Sequence, residues 1–217
     1  MMNVQAARAQ MVEQQVRAWE VLDPAVLDAM ASVPRERYVP APFADVAYAD
    51  APIPLGGGRY ILAPSVDGRI LQAVAVQSGE AVLEIGTGSG FLAACLAALG
   101  ANVRSLEIDP ELAGAAVARL RSDGRAAVEV ETVDATTVAP VAAYDVVILG
   151  ASLPVYDPRY QAFLKVGGRL FVVVGGRAPM EALLVTRTAE QTYTRESLFE
   201  TELEALVHAV TPSAFRF

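Results

Sequence analysis

The sequence predicts a doubly wound α/β domain with an N-terminal helical cap. Three observations carry that expectation. From Val74 onward, short runs rich in Val, Ile and Leu alternate with helical segments, the pattern of a parallel sheet covered on both faces. A glycine-dense turn, GTGSG at residues 86–90, joins the first of those runs to the helix behind it. The preceding stretch is helical and then rich in proline, so residues 1–73 are expected to form the cap and its loop, and residues 74–217 the core.

Residues 4–19 read as one amphipathic helix, with Val4, Met11, Val16 and Trp19 among its apolar positions. Asp23-Pro24, a capping acid before a proline at the first helical position, opens a second helix through Met30. Seven of the chain's 13 prolines fall between residues 24 and 64, which makes 34–64 an irregular cap or lid and not a separate folding unit. AVLEI (81–85) is a short buried strand, and FLAACLAAL a buried helix ended by Gly100. VRSLEI (103–108) is the next strand, and Asp109-Pro110-Glu111 caps a helix running to Ser122-Asp123-Gly124. AVEVET (127–132), DVVILG (145–150) and RLFVVVG (169–175) continue the alternation. From Glu181 to His208, LLVTRT and YTRESLF are β-rich with no helix between them, so antiparallel strands are expected to close the sheet.

Composition narrows the function classes. A chain of 217 residues, 53% hydrophobic and 19% charged, can bury a sizeable core and is not disordered. No run approaches the roughly 20 apolar residues of a membrane span, and the first 20 residues lack the apolar block of a signal peptide. A cytoplasmic protein without a membrane partner is the expectation. A net charge of −8 opposes nucleic-acid binding, where Lys and Arg must neutralise phosphates. Cys95, the only cysteine, sits inside FLAACLAAL and reads as core packing. His208 is the only histidine, so no metal is expected, and a Ser-His-Asp triad would depend on a residue whose sequence neighbours do not recommend it.

The chemistry lies in VLEIGTGSGF. Gly86, Gly88 and Gly90 let a cofactor approach the backbone closely, with a helix N-terminus behind them. Two cofactor classes use such a turn, and GSGFLA (88–93) also fits the dinucleotide pattern G-x-G-x-x-A. The acids discriminate. Glu84 lies in the strand, where a carboxylate can meet a cationic amine. Glu107 ends the second strand, where it can accept both ribose hydroxyls, and Asp134 follows the third, placed for an adenine amino group. A pyrophosphate needs donors and no nearby anion, whereas an amino acid carrying a sulfonium welcomes carboxylates. Three acids at three successive strand ends therefore favour S-adenosylmethionine.

Seven segments make the chain resemble the protein-L-isoaspartate O-methyltransferase family: VPRERYVP (33–40), AYADAPIPLGGG (47–58), VLEIGTGSGF (82–91), the acid at Glu107, VDA (133–135), YDVVILGASLP (144–154) and LKVGGRLFVVVG (164–175). The resemblance runs from about residue 11 to 175. It implies a Rossmann-like class I methyltransferase fold, a seven-stranded sheet with one antiparallel strand. It also implies transfer of the methyl group of S-adenosylmethionine to the α-carboxylate of isoaspartyl residues in damaged proteins, the ester then closing to a succinimide that can reopen to aspartate. Carried over residue by residue, the cofactor site comprises Glu84, Gly86, Thr87, Gly88, Ser89 and Gly90, with Glu107 and Ile108 at the ribose and Asp134 and Ala135 at the adenine. Ile61 and Leu62 would lie over the cofactor.

Two departures fall on the acceptor side. Where the family reads G-Q-T-I-S-x-P, this chain reads Gly58-Arg59-Tyr60-Ile61-Leu62-Ala63-Pro64, so the serine implied to hold the substrate carboxylate is Leu62. Ser65, Tyr60 and Arg59 are the candidates to compensate, although Ser65 also reads as a helix cap, and Asp67 would need a partner such as Arg69. Near the C-terminus, SLFETELEAL (197–206) places Glu200, Glu202 and Glu204 where the family's V-x-F-V-P-L strand is apolar. The expected activity is therefore isoaspartyl methylation of damaged proteins or peptides. The alternatives are methylation of an unidentified small acceptor, a cofactor-binding protein without catalysis, and, more remotely, a nicotinamide oxidoreductase.

Overall fold

A computed structural model describes residues 4–211; residues 1–3 and 212–217, the outer ends of the cap and core spans given above, lie outside it. Helix α1 (Val4–Met11) does not continue to residue 19 as expected but passes into a π-helical turn (Val12–Val16) and a 3₁₀ turn (Arg17–Trp19). The change of pitch turns Trp19 off the apolar stripe, so it is exposed while Met11 and Val16 are buried; Val4, at the helix's first turn, is exposed as well. Helix α2 (Pro24–Ser32) starts where the acid-proline pair predicts, with Asp23 accepting from the Ala25 amide at 2.8 Å. The proline-rich stretch holds two 3₁₀ turns and then a hairpin not foreseen in the sequence, β1 (Ile53–Gly56) and β2 (Arg59–Ile61).

Helix α3 (Pro64–Val74) leads into the core. There β3 (Ala81–Ile85), α4 (Phe91–Ala98), β4 (Asn102–Glu107), α5 (Pro110–Ser122), β5 (Glu129–Thr132), β6 (Tyr144–Leu153) and β7 (Leu164–Val174) alternate, and β8 (Met180–Ala189) and β9 (Thr192–Thr201) follow as a hairpin. The sheet order is β5-β4-β3-β6-β7-β8-β9, with β8 antiparallel to both neighbours and the first five strands parallel. The expected seven strands with one antiparallel are thus present. Alternation along each strand splits the core into two layers. Val82, Val146, Ile148 and Phe171 face the cap and α4, while Leu83, Val147, Leu149 and Leu170 face the opposite side, under Tyr160 and Phe163. Met11, Val16 and Met30 of the cap share the first layer with Phe91 and Leu96, so the cap is packed into the same core. Cys95 is buried there, as expected. Among the described residues no helix is long and apolar enough to cross a membrane.

One buried cation organises the cap. Arg35, fully buried, donates from Nη1 to Asp67 Oδ2 at 2.8 Å, from Nε to the Ala47 carbonyl at 3.0 Å and from Nη2 to the Leu62 carbonyl at 2.5 Å. Its guanidinium also sits 4.6 Å from the centroid of the Phe91 ring. Asp67 therefore pairs with Arg35 and not with Arg69, which instead bonds to the Trp19 and Leu198 carbonyls. The spacing between Asp67 and Arg69 misled because residues two apart on a helix point to different faces.

Candidate functional site

The strand order reverses between β3 and β6, and open α/β sheets form their ligand crevice beyond the carboxyl ends of strands at such a point. A cavity of about 460 Å³ lies there. Its floor is Gly86, Gly88, Glu107, Asp134, Ala135 and Gly150. One wall comes from the β1–β2 hairpin and the start of α3, through Arg59, Tyr60, Leu62 and Ala63. The facing wall is the C-terminal segment from Thr201 to Val207.

The glycines have a steric reason. A Cβ at Gly150 would stand 3.0 Å from the Gly86 carbonyl oxygen, so a side chain at Gly150 would crowd the meeting of the two strand ends. Gly86 has φ +94, a left-handed conformation that side-chain-bearing residues rarely adopt. Five amides in and just after this turn are already committed. Gly86 and Thr87 donate to the Leu106 carbonyl, Gly88 to Glu107 Oε2 at 2.8 Å, Gly90 to the Thr87 carbonyl and Phe91 to Ser89 Oγ. A pyrophosphate would find few free donors here, whereas an aminoacyl nucleoside fits between the surrounding acids.

Those acids are held firmly. Glu107, 4% exposed, takes the Gly88 amide on Oε2 and the Asp109 amide at 3.1 Å on Oε1. Asp134 Oδ1 takes the Thr136 amide at 2.9 Å and the Thr136 hydroxyl at 2.7 Å, and Oδ2 lies 2.7 Å from His208 Nδ1. Burial works to raise the Asp134 carboxyl, but the Thr136 and His208 donors outweigh it, so it titrates below the usual aspartate range.

Glu84 occupies a different place from the one expected. It lies behind the floor and is absent from the cavity wall, accepting a short hydrogen bond from Ser105, its partner in the β3–β4 register. Its Oε1 is buried with no hydrogen-bond partner. Burial pushes its carboxyl up to about 8 against the Ser105 hydroxyl, with Asp67 and Glu107 adding to the rise. Burial likewise raises Asp67 to about 6 in spite of Arg35. Between the ordinary carboxylate range and these values the folded chain holds protons that the unfolded chain has released. Stability is therefore expected to fall as pH rises, from about 4 to 6 through Asp67 and from about 4.5 to 8 through Glu84. Melting temperatures across pH 5–8 check this, and Glu84→Gln should flatten the decline above pH 6.

The structure brings Arg59, Tyr60, Leu62, Gly86, Gly88, Glu107, Ile108, Asp134 and Ala135 to one cavity. Ile61, Thr87, Ser89 and Gly90 stand behind the wall and support it. Ser65 is displaced from both of its expected roles. It is buried off the cavity wall, the cap of α3 is Ala63, and Asp50 Oδ1 accepts the Ser65 amide at 3.0 Å. Arg59 is the one cation on the wall among the described residues, and it is paired with Asp109 at 2.9 Å. The sequence reading gave no role to Arg35, Asp50 or Ser152. His208 stood out there as the only histidine but was set aside, because its contact with Asp134 joins distant parts of the chain.

The sequence profile of the protein-L-isoaspartate(D-aspartate) O-methyltransferase family matches residues 6–207. The chain belongs to this family. A protein-L-isoaspartate O-methyltransferase of Rhodopseudomonas palustris is 38% identical over 201 residues, 92% of each chain. One from Methylorubrum populi is 40% identical over 189 residues, 87% of this chain and 89% of its own. A Plasmodium falciparum chain, described as a protein-L-isoaspartate O-methyltransferase in complex with S-adenosyl-L-homocysteine, shares the fold. It superposes with a TM-score of 0.79 at 18% identity, covering 92% of this chain and 97% of that one. In this methyltransferase family member Leu62 and the Glu202–Glu204 stretch stand on facing walls of the cavity whose floor is the glycine turn with Glu107 and Asp134.

Proposed function

We infer that this protein transfers the methyl group of S-adenosylmethionine to the α-carboxylate of isoaspartyl residues in damaged proteins or peptides. The observation that carries the reading is a glycine turn with its amides committed, ringed by the fixed carboxylates Glu107 and Asp134, in a chain of this family. When bound, S-adenosylmethionine supplies an electrophilic methyl group on a sulfonium sulfur. Glu107 would offer its remaining lone pairs to the ribose hydroxyls, Asp134 and Ala135 would meet the adenine edge, and Leu62 and Ala63 would form an apolar wall against water, all of them bordering the one cavity. The acceptor carboxylate is already ionised near pH 7, so no base is required. No general acid is required of the chain either, since the cofactor would supply both the methyl group and, as a neutral thioether, its own leaving group. The chain's work is alignment and desolvation. A cytoplasmic location without a nucleic-acid partner is part of the proposal.

Leu62 offers the acceptor no hydrogen bond, and its backbone is fixed by Arg35, so a substitution there changes the side chain with little else. Leu62→Ser is expected to raise kcat/KM for an isoaspartyl peptide by about tenfold or more, the worth of one hydrogen bond to a charged group. Steady-state rates of the two proteins check this. The apolar Leu62 and the facing Glu202 and Glu204 also favour a second reading, in which the acceptor is a less anionic small molecule.

Mass spectrometry of an isoaspartyl peptide incubated with the protein and S-adenosylmethionine, beside its aspartyl twin, tests the primary reading. One added methyl group on the isoaspartyl peptide alone is expected. Cofactor turnover with neither peptide modified would replace it with the second.

A further inference from the structure

His208 is the chain's only histidine, and its environment is not accounted for by the chemistry above. Its side chain is 65% exposed, so packing does not hold it. Its backbone has φ +62, the left-handed region that a non-glycine residue enters at a cost and keeps when something else fixes it. The preceding segment fixes it. Ser152, buried at the end of β6, donates from its amide to the Glu204 carbonyl at 2.8 Å and from its hydroxyl to the Leu203 carbonyl at 2.9 Å. Ser152 also accepts the Leu206 amide at 2.8 Å. A turn closed by the Ala209 amide on the Leu206 carbonyl, at 3.0 Å, then swings the imidazole back onto Asp134. Leu206 and Val207, just before it, line the cavity.

We propose that His208 is a positioning residue of the cofactor site: from the acceptor-side wall it holds the Asp134 carboxylate in the orientation that receives the adenine amino group. The proposal rests on the reading of Asp134 as the adenine acceptor. Thr136 occupies Oδ1 with two donors. That leaves Oδ2 as the outward oxygen, and a carboxylate oxygen accepts two hydrogen bonds. The Nδ1–H of His208 takes one of these and fixes the direction of the other, which remains for the ligand. The same contact ties the wall that meets the acceptor to the end of the site that meets the nucleoside.

The test is calorimetric binding of S-adenosylhomocysteine and of its inosine counterpart, which carries a carbonyl in place of the 6-amino group. The untagged wild type is compared with His208→Ala, His208→Asn and Asp134→Asn. His208→Ala is expected to weaken the adenine ligand about tenfold, the scale of one charge-assisted hydrogen bond, while the inosine ligand changes little. His208→Asn, which keeps an N–H donor, should recover part of the loss. Equal weakening of both ligands would make His208 a structural staple only, and unchanged binding would remove it from the site; either overturns the proposal. If Asp134→Asn also left adenine preference unchanged, the assignment of Asp134 itself would fall. A strong Asp134→Asn effect beside a silent His208→Ala would sink this inference alone. In the ligand-free protein the sole imidazole gives one set of ring nitrogen resonances. These should report a protonated Nδ1 that shifts in Asp134→Asn.

Discussion

Replacing Arg35 with methionine is expected to cost about 3–5 kcal/mol of stability, the cost of stranding a buried charge without its partner. For a chain of this size that corresponds to a melting temperature lower by roughly 6–20 °C. Arg35 is fully buried, and three segments converge on its guanidinium: the turn at Ala47, the loop at Leu62 and helix α3 at Asp67. The methionine would fill much of the volume while leaving Asp67 buried without its cation and two carbonyls without donors. Adding Asp67→Asn removes the stranded charge, so the double variant should be more stable than Arg35→Met alone, although short of wild type because the carbonyls stay unsatisfied. Scanning calorimetry of the three proteins measures this. A loss under about 1 kcal/mol in the single variant would mean that the pair contributes no more than an exposed one does.

Glu107→Ala is expected to weaken S-adenosylhomocysteine by about 10²–10⁴-fold. Two charge-assisted hydrogen bonds to the ribose, at about 1.5–3 kcal/mol each, account for that range. The same carboxylate also holds the Gly88 and Asp109 amides, so its removal loosens the glycine turn against the start of α5. Glu107→Gln keeps the shape but not the charge and should fall between the two. Titration calorimetry reads the affinities, and retention of binding within about threefold in Glu107→Ala would displace Glu107 from the ribose.

How much of this was legible in the sequence differs by element for physical reasons. The acid-proline pairs at 23–24 and 109–110 mark helix starts because capping is a local event, complete within four residues. The central strands β3, β6 and β7 were legible because buried parallel strands are apolar on both faces. The β1–β2 hairpin was not, since Pro52 and Pro54 mask a short edge pairing and its partner is only three residues long. Glu107 and Asp134 could be placed because strand ends at a switch point converge whatever the rest of the chain does. Glu84 could be placed at its strand end but not on its face, which depends on the β3–β4 register that puts Ser105 beside it. The contacts of Arg35 with Asp67 and of His208 with Asp134 join residues 32 and 74 positions apart, and such contacts exist only once the fold does. Ser65 misled because Pro64-Ser65 resembles a helix start with a capping hydroxyl, whereas the cap position is one residue before the proline and the amide is satisfied by Asp50.

The most direct measurement is the fate of an isoaspartyl peptide held with the protein and S-adenosylmethionine through many turnovers, followed by chromatography that separates it from its aspartyl isomer. Methylation makes an ester, the amide nitrogen of the next residue displaces methanol to close a succinimide, and water reopens that ring to either isomer. Progressive conversion to the aspartyl peptide is expected, dependent on the cofactor and lost in Glu107→Ala. An isoaspartyl peptide that stays unchanged while S-adenosylmethionine is consumed on another acceptor would contradict it.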